Sequence, residues 1–538
     1  MKSIIQAVIA DVNDETTELI VPYLQFLIRV KQHSVKIAAL SASAYLRQFR
    51  EAGMLDVIIN SGILSVEDAV SEMVGRLAVH PFNLAVVSGE LSLLKHCASI
   101  GMHAIAVGST AKSNDSRIEH VEKLEHIDVD ALCEFGVIKI LPADTWKIVE
   151  DRLDPANAAT WESIFALSNG VFGIRGNYDF FARDVAGISD PQTLMHGVCE
   201  FKGPHNTKRG FPGRYHAIVN WGDFFRQDIA VGGECLGLSQ GIVSDFRRVL
   251  DMYKGVVTTV FVWESPSGKR LKVETVRLVS MDRLDAAAMR MQLTALNFCN
   301  TVTVHSHMQL DRRFKLFFGP AFEIIEHGVD EGAGYFHCRT LESNFSVGIA
   351  GNHAHSGGDD ITLSFEQNET ALATTFAIEA VKGKCISIDK HVSIVSSLRA
   401  AGREPAAAGD SVRRAMLDGF DRLYAGQQQF WHDFWQRNDI ILDGPVEDQQ
   451  ALRFALFHLR QSHPRDDRVS ISATGLTGDN YQCHVLWDTE IYMLPFFVYS
   501  DPALARQLLV YRHSLLDKAR AWAREYGGRG GENLRFEN

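Results

Sequence analysis

The segment Gly475 to Pro495, GLTGDNYQCHVLWDTEIYMLP, places His484, Trp487, Asp488 and Glu490 between a Gly-rich turn and an apolar run. A core helix needs only an apolar stripe, and a solvated helix has no use for Trp. Sugar recognition needs an aromatic or apolar wall together with a few polar groups that fix the hydroxyls. The segment therefore predicts a saccharide-binding site.

Length and composition set the broad class of the protein. A chain of 538 residues exceeds what one hydrophobic core organises, so several domains are expected. The formal net charge of -12 argues against broad binding to nucleic acid or to an anionic membrane. The eight cysteines form no CxxC pair, which predicts reduced thiols, no metal site and a cytoplasmic location. The N-terminal apolar stretch is too short for a signal peptide or a membrane span and predicts a first strand.

The pattern of apolar and polar residues along the chain predicts four regions. Residues 1–145 alternate short β-branched runs with helical stretches, which predicts a parallel, doubly wound α/β domain. Residues 146–409 contain many short alternating runs, which predict an antiparallel β-sandwich. Residues 410–444 predict a helical linker, and residues 445–538 predict further helices.

Four aromatic residues lie near the end of the predicted linker. Phe430, Trp431, Phe434 and Trp435 share one helical face. Aromatic faces at helical spacing are usually core, so we expect them to pack against the sandwich rather than to form a sugar platform.

Several motifs resemble glycoside hydrolase family 65, and they follow one another in the order found in that family. They are WESIFALSNGVFGIRGN (161–177), LDMYKGVV (250–257), VRLVSM (276–281), the 475–497 segment and ARQLLVYRHSLLDKARAWAREYG (505–527). The resemblance implies a β-supersandwich, a helical linker and an (α/α)6 barrel. It also implies inverting phosphorolysis of an α-linked glucose disaccharide to β-glucose 1-phosphate, or hydrolysis in some members. Inorganic phosphate is then the co-substrate, no cofactor is needed, and a homodimer is expected.

The resemblance also assigns candidate site residues. Trp487 matches the wall of the family's glucose subsite, and Asp488 matches its hydroxyl acceptor. The alternative is a helix N-terminal Asp beside a buried Trp. His484 and Glu490 are further candidates, although helical spacing also allows a structural hydrogen-bonded pair. The family usually has Gly where this chain has Cys483, which places a larger side chain beside the predicted pocket.

The Gly-rich motif NGVFGIRGN has a structural interpretation. Its glycines at 170, 173 and 176 superficially resemble a phosphate loop, but no strand-to-helix context with Lys and Ser/Thr follows. Tight β-turns of the sandwich are therefore expected. Arg175 is a candidate for the domain interface or for a structural salt bridge, and the salt bridge is favoured.

The catalytic residues of the family are not found in this sequence. A barrel of twelve helices needs about 200 residues, and residues 445–538 supply 94. By resemblance, the general acid Glu and the phosphate-binding residues are expected downstream of Asn538. We therefore expect this polypeptide to lack phosphorylase activity and to expose apolar helix faces.

The first 145 residues resemble a haloacid dehalogenase-like domain of the β-phosphoglucomutase type. By that resemblance, Asp11 stands at the nucleophile, Asn13 replaces the acid that protonates the leaving group, and Ser41 or Ser43 stands at a phosphate-binding hydroxyl. The charge-neutralising Lys is missing, and Ser88 and Gly89 replace the magnesium-binding acids. A degenerate, noncatalytic domain is expected. The alternatives are a sugar-phosphate phosphatase or mutase, or a noncatalytic carbohydrate-binding protein.

Overall fold

A computed structural model describes residues 144–525, with gaps at 183, 203–214, 313–318 and 358–360. Before residue 144 it describes six short strands and residues 95 and 97. Asn13 and Ser41 of the predicted N-terminal site lie outside the described residues, and the side chains of Asp11 and Cys483 are also outside them.

The six N-terminal strands form one sheet in which every pairing is parallel, as the alternating runs predict. The strand order is β3-β2-β1-β4-β5-β6, so the chain reverses direction across the sheet between β1 and β4. The strands are β1 (Ala7–Asp11), β2 (Lys36–Leu40), β3 (Val57–Ile59), β4 (Leu84–Ser88), β5 (His103–Val107) and β6 (Ile118–Val121).

Two large antiparallel sheets follow, as the alternating pattern predicts. The larger has nine strands in the order β20-β21-β22-β25-β18-β17-β16-β15-β7. These strands are β7 (Lys147–Glu150), β15 (Ile242–Asp251), β16 (Val256–Glu264), β17 (Arg270–Val279), β18 (Ala286–Ala295), β20 (Phe322–Asp330), β21 (Ala333–Thr340), β22 (Ser346–Ser356) and β25 (Cys385–Ser396).

The smaller sheet has five strands in the order β14-β13-β19-β24-β23. They are β13 (Gln227–Val231), β14 (Glu234–Cys235), β19 (Asn300–Gln309), β23 (Ile361–Gln367) and β24 (Ala371–Ala380). Alternate residues of both sheets point into one shared core, in which Phe261 and Trp263 of β16 join Val302 and Val304 of β19.

Two small sheets lie on the side of the sandwich that meets the later helices. One contains β8 (Leu167–Ser168), β9 (Phe172–Ile174) and β10 (Thr193–Met195), and the other contains β11 (Cys199–Lys202) and β12 (Tyr215–Ile218).

The linker helix runs over Glu404–Asn438, so it begins before residue 410 and ends before residue 444. Gly419 has φ 75° and interrupts the helical geometry, which divides the helix into two segments. The first segment packs Ala408 and Val412 against Ala350 and Val395 of the nine-stranded sheet.

The aromatic residues at the end of this helix are core, which confirms the packing prediction. Trp431 and Trp435 are fully buried with Phe434, and Trp435 Nε1 donates to the carbonyl oxygen of Met252 at 2.9 Å. Trp431 also stacks on Phe457 with ring centroids 4.4 Å apart. The linker therefore joins the sandwich to the helix that follows it.

The remaining helices are Ala158–Ile164, Ser397–Ala400, Val446–Ser462, Leu494–Ser500, Pro502–Ser514 and Leu516–Glu525. Short 3-10 turns cover Pro155–Asn157 and Asn480–Cys483, and a π-helical turn covers Thr489–Met493. Within the described residues, none of the helices has the length and apolar character that crossing a membrane requires.

Candidate functional site

The β8–β9 hairpin and neighbouring loops of the sandwich form the surface on which the chain leading into the predicted site segment packs. This surface is called the seat below. Gly170 has φ +82°, and a Cβ there would overlap the backbone carbonyl of His463. A Cβ at Gly173 would overlap Leu476, and a Cβ at Gly197 would overlap Val469. The tight-turn prediction is right at Gly170 but wrong at Gly173, which lies within β9, where the lack of a side chain allows close backbone approach.

Hydrogen bonds fix the last turn of the helix Val446–Ser462 to the same hairpin. Gln461 Oε1 accepts from the backbone N–H of Ser168 at 2.9 Å, and its Nε2 donates to the carbonyl of Ala166 at 3.0 Å. The Ser168 hydroxyl donates to the carbonyl of Gln461 at 2.9 Å. These buried bonds join residues 293 and 295 positions apart and set where the following loop begins.

The loop from Ser472 to His484 is held by its own polar groups. The Thr474 hydroxyl donates to the carbonyl of Gly478 at 2.7 Å, and the backbone N–H of Ala473 donates to the carbonyl of His484 at 3.1 Å. Tyr481 and Gln482 both have φ 56°, a left-handed conformation that is uncommon for residues with side chains. Two consecutive residues of this kind give the chain a sharp turn just before His484, and such conformations cluster at functional sites.

Arg175 forms the structural salt bridge that the sequence favoured. Its guanidinium lies 3.5 Å from Glu162 and 3.4 Å from Asp190, and it donates to the carbonyl of Ala159 at 2.6 Å. Burial lowers the pKa of Arg175, and the carboxylate of Glu162 opposes that shift. The carboxylate of Asp479 also acts on the pKa of Arg175, so this side chain lies at the contact with the site segment as well as in the salt bridge.

His484 and Glu490 each have a structural partner, and neither binds the other. His484 Nε2 donates to the backbone carbonyl of His216 at 2.8 Å, across the contact with the sandwich. Glu490 accepts from Arg512 at 2.7 Å. The alternative of a helical pair between them does not form, because residues 484–486 are not helical and the π-helical turn begins only at Thr489. These contacts orient the segment on both sides of the Trp-Asp pair.

Trp487 and Asp488 are exposed where the π-helical turn begins. Trp487 is 67% exposed, so the alternative of a capping Asp beside a buried Trp is wrong for the Trp. Asp488 occupies the N-cap position but makes no side-chain capping hydrogen bond. Tyr481 and Tyr492, on either side in sequence, are 72% and 74% exposed. The segment thus presents aromatic surface and a carboxylate to solvent, and these are the groups that a saccharide-binding site needs.

The sandwich contains a buried charged network that sequence reasoning missed. Arg277 lies 2.6 Å from Asp179, and Arg248 lies 3.6 Å from Glu150, which also accepts from the Tyr178 hydroxyl. Burial raises the pKa of Asp179 to about 6 and that of Glu150 to about 8, although the arginines oppose both shifts. Charged and apolar residues alternate along the strands that carry these arginines. That pattern looks the same in the sequence whether the charged side chains are buried or exposed to solvent. Because these groups are enclosed and paired, they serve the scaffold rather than a substrate.

The described residues include no group of three or more His, Cys, Asp or Glu side chains placed to hold a metal ion.

Comparison with known proteins places this fold and segment in a class of carbohydrate-active enzymes. Residues 148–434 match the glycosyl hydrolase family 65 N-terminal domain, and residues 453–532 match the family 65 central catalytic domain. The chain belongs to glycosyl hydrolase family 65.

Individual relatives agree with this assignment. The chain is 31% identical to an alpha,alpha-trehalose phosphorylase of Thermoanaerobacter brockii, over 73% of this chain and 52% of the relative. It is 30% identical to a kojibiose phosphorylase of Halothermothrix orenii, over 72% and 49%. A solved structure described as a putative kojibiose phosphorylase from human microbiome is 25% identical, with a TM-score of 0.66 over 72% of this chain and 51% of that one. The chain thus spans about half the length of the curated relatives it matches.

Proposed function

We propose that this chain acts on an α-linked glucose disaccharide as part of an inverting disaccharide phosphorylase that releases β-glucose 1-phosphate. The observation that carries the proposal is the exposed Trp487–Asp488 pair, held at the start of a helical turn inside the region that matches the family's catalytic domain. The relatives named trehalose phosphorylase and kojibiose phosphorylase support this substrate class.

In this proposal, Trp487 provides the apolar wall of the glucose subsite and Asp488 accepts hydrogen bonds from sugar hydroxyls. An unpaired carboxylate can accept from two hydroxyls at once, and the flat indole ring covers the apolar face of a pyranose. His484 and Glu490 act as positioning residues, because each is bonded to a neighbouring element on one side of the pair. The helices from Val446 onward belong to the (α/α)6 barrel of the family.

Phosphate as co-substrate simplifies the chemistry. It is already a charged nucleophile, so one protein carboxyl that protonates the leaving oxygen is sufficient, whereas an inverting hydrolase needs an acid and a base. No cofactor is required. A cytoplasmic location and a homodimer complete the proposal.

The test combines disaccharide binding with product release. Trehalose, kojibiose, maltose and nigerose are titrated into the 538-residue chain, and glucose 1-phosphate is assayed with phosphate present. We expect binding of at least one disaccharide to weaken roughly tenfold or more in Trp487→Ala and in Asp488→Asn. Tyr499→Ala is the matched control, because Tyr499 is 90% exposed and lies outside the motif.

The outcomes separate the rival functions. Binding with glucose 1-phosphate release supports a phosphorylase, and release of glucose without phosphate supports a hydrolase. Binding without turnover agrees with the inactivity expected from the sequence, and it does not distinguish part of a phosphorylase from a noncatalytic carbohydrate-binding protein. Loss of affinity in none of the variants, or in Tyr499→Ala to the same degree, would contradict the assignment of Trp487 and Asp488.

A second candidate function concerns the N-terminal sheet. Asp11 is the last residue of β1, whose neighbours β2 and β4 lie on either side of the point where the strand order reverses. Ligands of open α/β sheets bind at this edge, which favours a phosphate-related site of the haloacid dehalogenase type. We propose a degenerate site, since Ser88 ends β4 where the magnesium-binding acids are expected. Magnesium-dependent phosphatase or mutase turnover that disappears in Asp11→Ala would show an active site instead.

A further inference from the structure

Two arginines lie at the junction between the linker helix and the later helices, Arg460 buried and Arg465 partly buried, and neither forms an ion pair with an acidic side chain among the described residues. Arg460, in the last turn of the helix Val446–Ser462, is 8% exposed, and its Nη1 is buried with no hydrogen-bond partner in the described part of the chain. Arg465, in the loop that follows, donates from Nε to the carbonyl of Asn169 at 3.1 Å. Its Nη2 is likewise buried without a partner among the described residues. Guanidinium groups removed from water normally have a counter-charge.

Another arginine of the same helix shows how a buried guanidinium charge is usually neutralised. Arg453 is 7% exposed, almost the same as Arg460, and lies two turns earlier. Its guanidinium makes two hydrogen bonds to the carboxylate of Asp439, at 2.9 and 2.7 Å. Arg460 is equally buried, and no carboxylate of the described residues is hydrogen-bonded to it, so its charge is left for another group to neutralise.

The two guanidinium groups face a common aromatic ring. The Cζ atoms of Arg460 and Arg465 lie 4.9 and 5.5 Å from the centroid of Phe430. Contact with an aromatic face compensates only part of the cost of burying a cation. Both cations therefore lie beside the same ring, and the charge of Arg465 contributes to the lowered pKa of Arg460, so the two groups are electrostatic neighbours.

Other arginines lie near both guanidinium groups. Burial lowers the pKa of Arg460 to about 9 and that of Arg465 to about 10, and nearby arginines contribute to both shifts. Both groups therefore remain cationic at neutral pH. Asp501 opposes these shifts from a distance, but its carboxylate caps the next helix by accepting from the backbone N–H of Leu504 at 3.4 Å. Arg465 also lines an open cleft with Arg468 and Arg506, and the same cleft contains the carboxylates of Asp466 and Asp467, the first of which is paired with Arg468.

We propose that Arg460 and Arg465 form a binding site for a phosphate-class oxyanion, separate from the disaccharide face at Trp487 and Asp488. The anion accepts from Arg460 Nη1 and Arg465 Nη2, and it neutralises the buried charge where the sandwich, the linker helix and the later helices meet. A bound anion therefore stabilises the contact between these elements. The ligand is inorganic phosphate or the phosphate group of a sugar phosphate.

Inorganic phosphate is titrated into the full chain by calorimetry, and thermal unfolding is followed in parallel. We expect phosphate to bind and to raise the unfolding midpoint of the unaltered protein. Arg460→Met and Arg465→Met should each weaken phosphate binding roughly tenfold or more. Arg460→Lys should recover part of the affinity, because lysine keeps the positive charge but lacks the paired N–H donors of the guanidinium group. Arg414→Met, an exposed arginine of the linker helix, is the matched control and should bind normally.

A second arm distinguishes the source of the phosphate group. Glucose 6-phosphate that displaces inorganic phosphate and binds more tightly identifies a sugar phosphate as the ligand, whereas weaker binding identifies free phosphate. Trp487→Ala should leave phosphate binding unchanged, so failure of the disaccharide proposal and failure of this one give different results. Equal binding in all variants, or no binding to the unaltered chain, would overturn the site.

A crystallographic measurement needs no variant. Crystals of the unaltered protein soaked in selenate should give an anomalous peak within hydrogen-bonding distance of Arg460 Nη1 and Arg465 Nη2. A map without a peak between these two groups would contradict the proposal even if the arginine variants fail to fold.

Discussion

The sandwich and the helical segment after Thr489 differ in which side chains they bury. In the sandwich, Arg277 and Asp179 are buried and lie 2.6 Å apart. In the helical segment, the side chains of Tyr492 and Tyr499 are 74% and 90% exposed. The first region has brought even its charges into the interior and paired them. The second leaves large apolar groups in contact with solvent, as expected from the sequence. Substitutions in the sandwich should therefore cost stability. Substitutions of exposed side chains in the helical segment should cost little stability, and only those at Trp487 and Asp488 should cost binding.

The sharpest test of this contrast is Arg277→Met. Removing one partner of a buried ion pair leaves the carboxylate of Asp179 uncompensated, and we expect a loss of about 3–5 kcal/mol in the free energy of unfolding, measured with urea. Arg283→Met is the matched control, because its partner Asp418 is half exposed and the pair should contribute less than about 1 kcal/mol. Similar losses in the two variants would remove the distinction between buried and surface charges.

The seat under the site segment is tested by Gly170→Ala. A Cβ there would overlap the carbonyl of His463, so we expect a loss of roughly 3 kcal/mol from overpacking and backbone strain together. Gly187→Ala shares the positive φ but would have nothing within 4 Å of the new Cβ, and it should cost about 1 kcal/mol. Thermal unfolding of both proteins measures the difference, which isolates the contact from the strain.

Acid should weaken the same junction through His196. This imidazole is 6% exposed and donates from Nε2 to the carbonyl of Ser462 at 2.8 Å. Burial lowers its pKa to about 4, so the unfolded chain takes up the proton near pH 6.5 and the folded chain does not. The stabilising contribution is complete above pH 6.5 and is lost as pH falls to 4, by roughly 3 kcal/mol.

Urea unfolding at pH 7, 6, 5 and 4 measures this effect. The pH dependence should be shallower in His196→Gln and unchanged in His355→Gln, since His355 is exposed. Parallel curves for the two variants would show that His196 is not responsible.

The smallest effect on stability is expected for Trp487→Ala. With the indole 67% exposed, its removal should change the free energy of unfolding by less than about 0.5 kcal/mol. Trp431→Ala, at a fully buried tryptophan, should cost about 3–5 kcal/mol. Denaturation by guanidinium compares them, and a large loss in Trp487→Ala would mean that this side chain supports the fold.

Much of the fold could be predicted because it follows from local patterns. Alternating residues predicted the antiparallel sandwich, and helical spacing predicted the burial of Trp431 and Trp435. The site was predicted less completely. The composition of the segment identified all four candidates, but the partners of His484 and Glu490 lie on other elements, and the pair that helical spacing allows does not form.

The arginine pair was missed for a different reason. Arg460 and Arg453 occupy similar positions in the same helix, and only the tertiary structure shows that Asp439 reaches one of them and not the other. Sequence patterns report the side of a helix that is buried, but they do not report whether a charge buried there has a partner.

The bonds between Gln461 and the β8–β9 hairpin also set an order of events in time. Their partners are separated by 293 or 295 positions, so during synthesis the hairpin leaves the ribosome long before the helix that will cover it. At a translation rate of about 5–20 residues per second, the interval is roughly 15–60 s. The hairpin surface around Gly170 therefore stays uncovered for that period. Until the helix that contains Gln461 has been synthesised, contact of this surface with other apolar surfaces must be avoided.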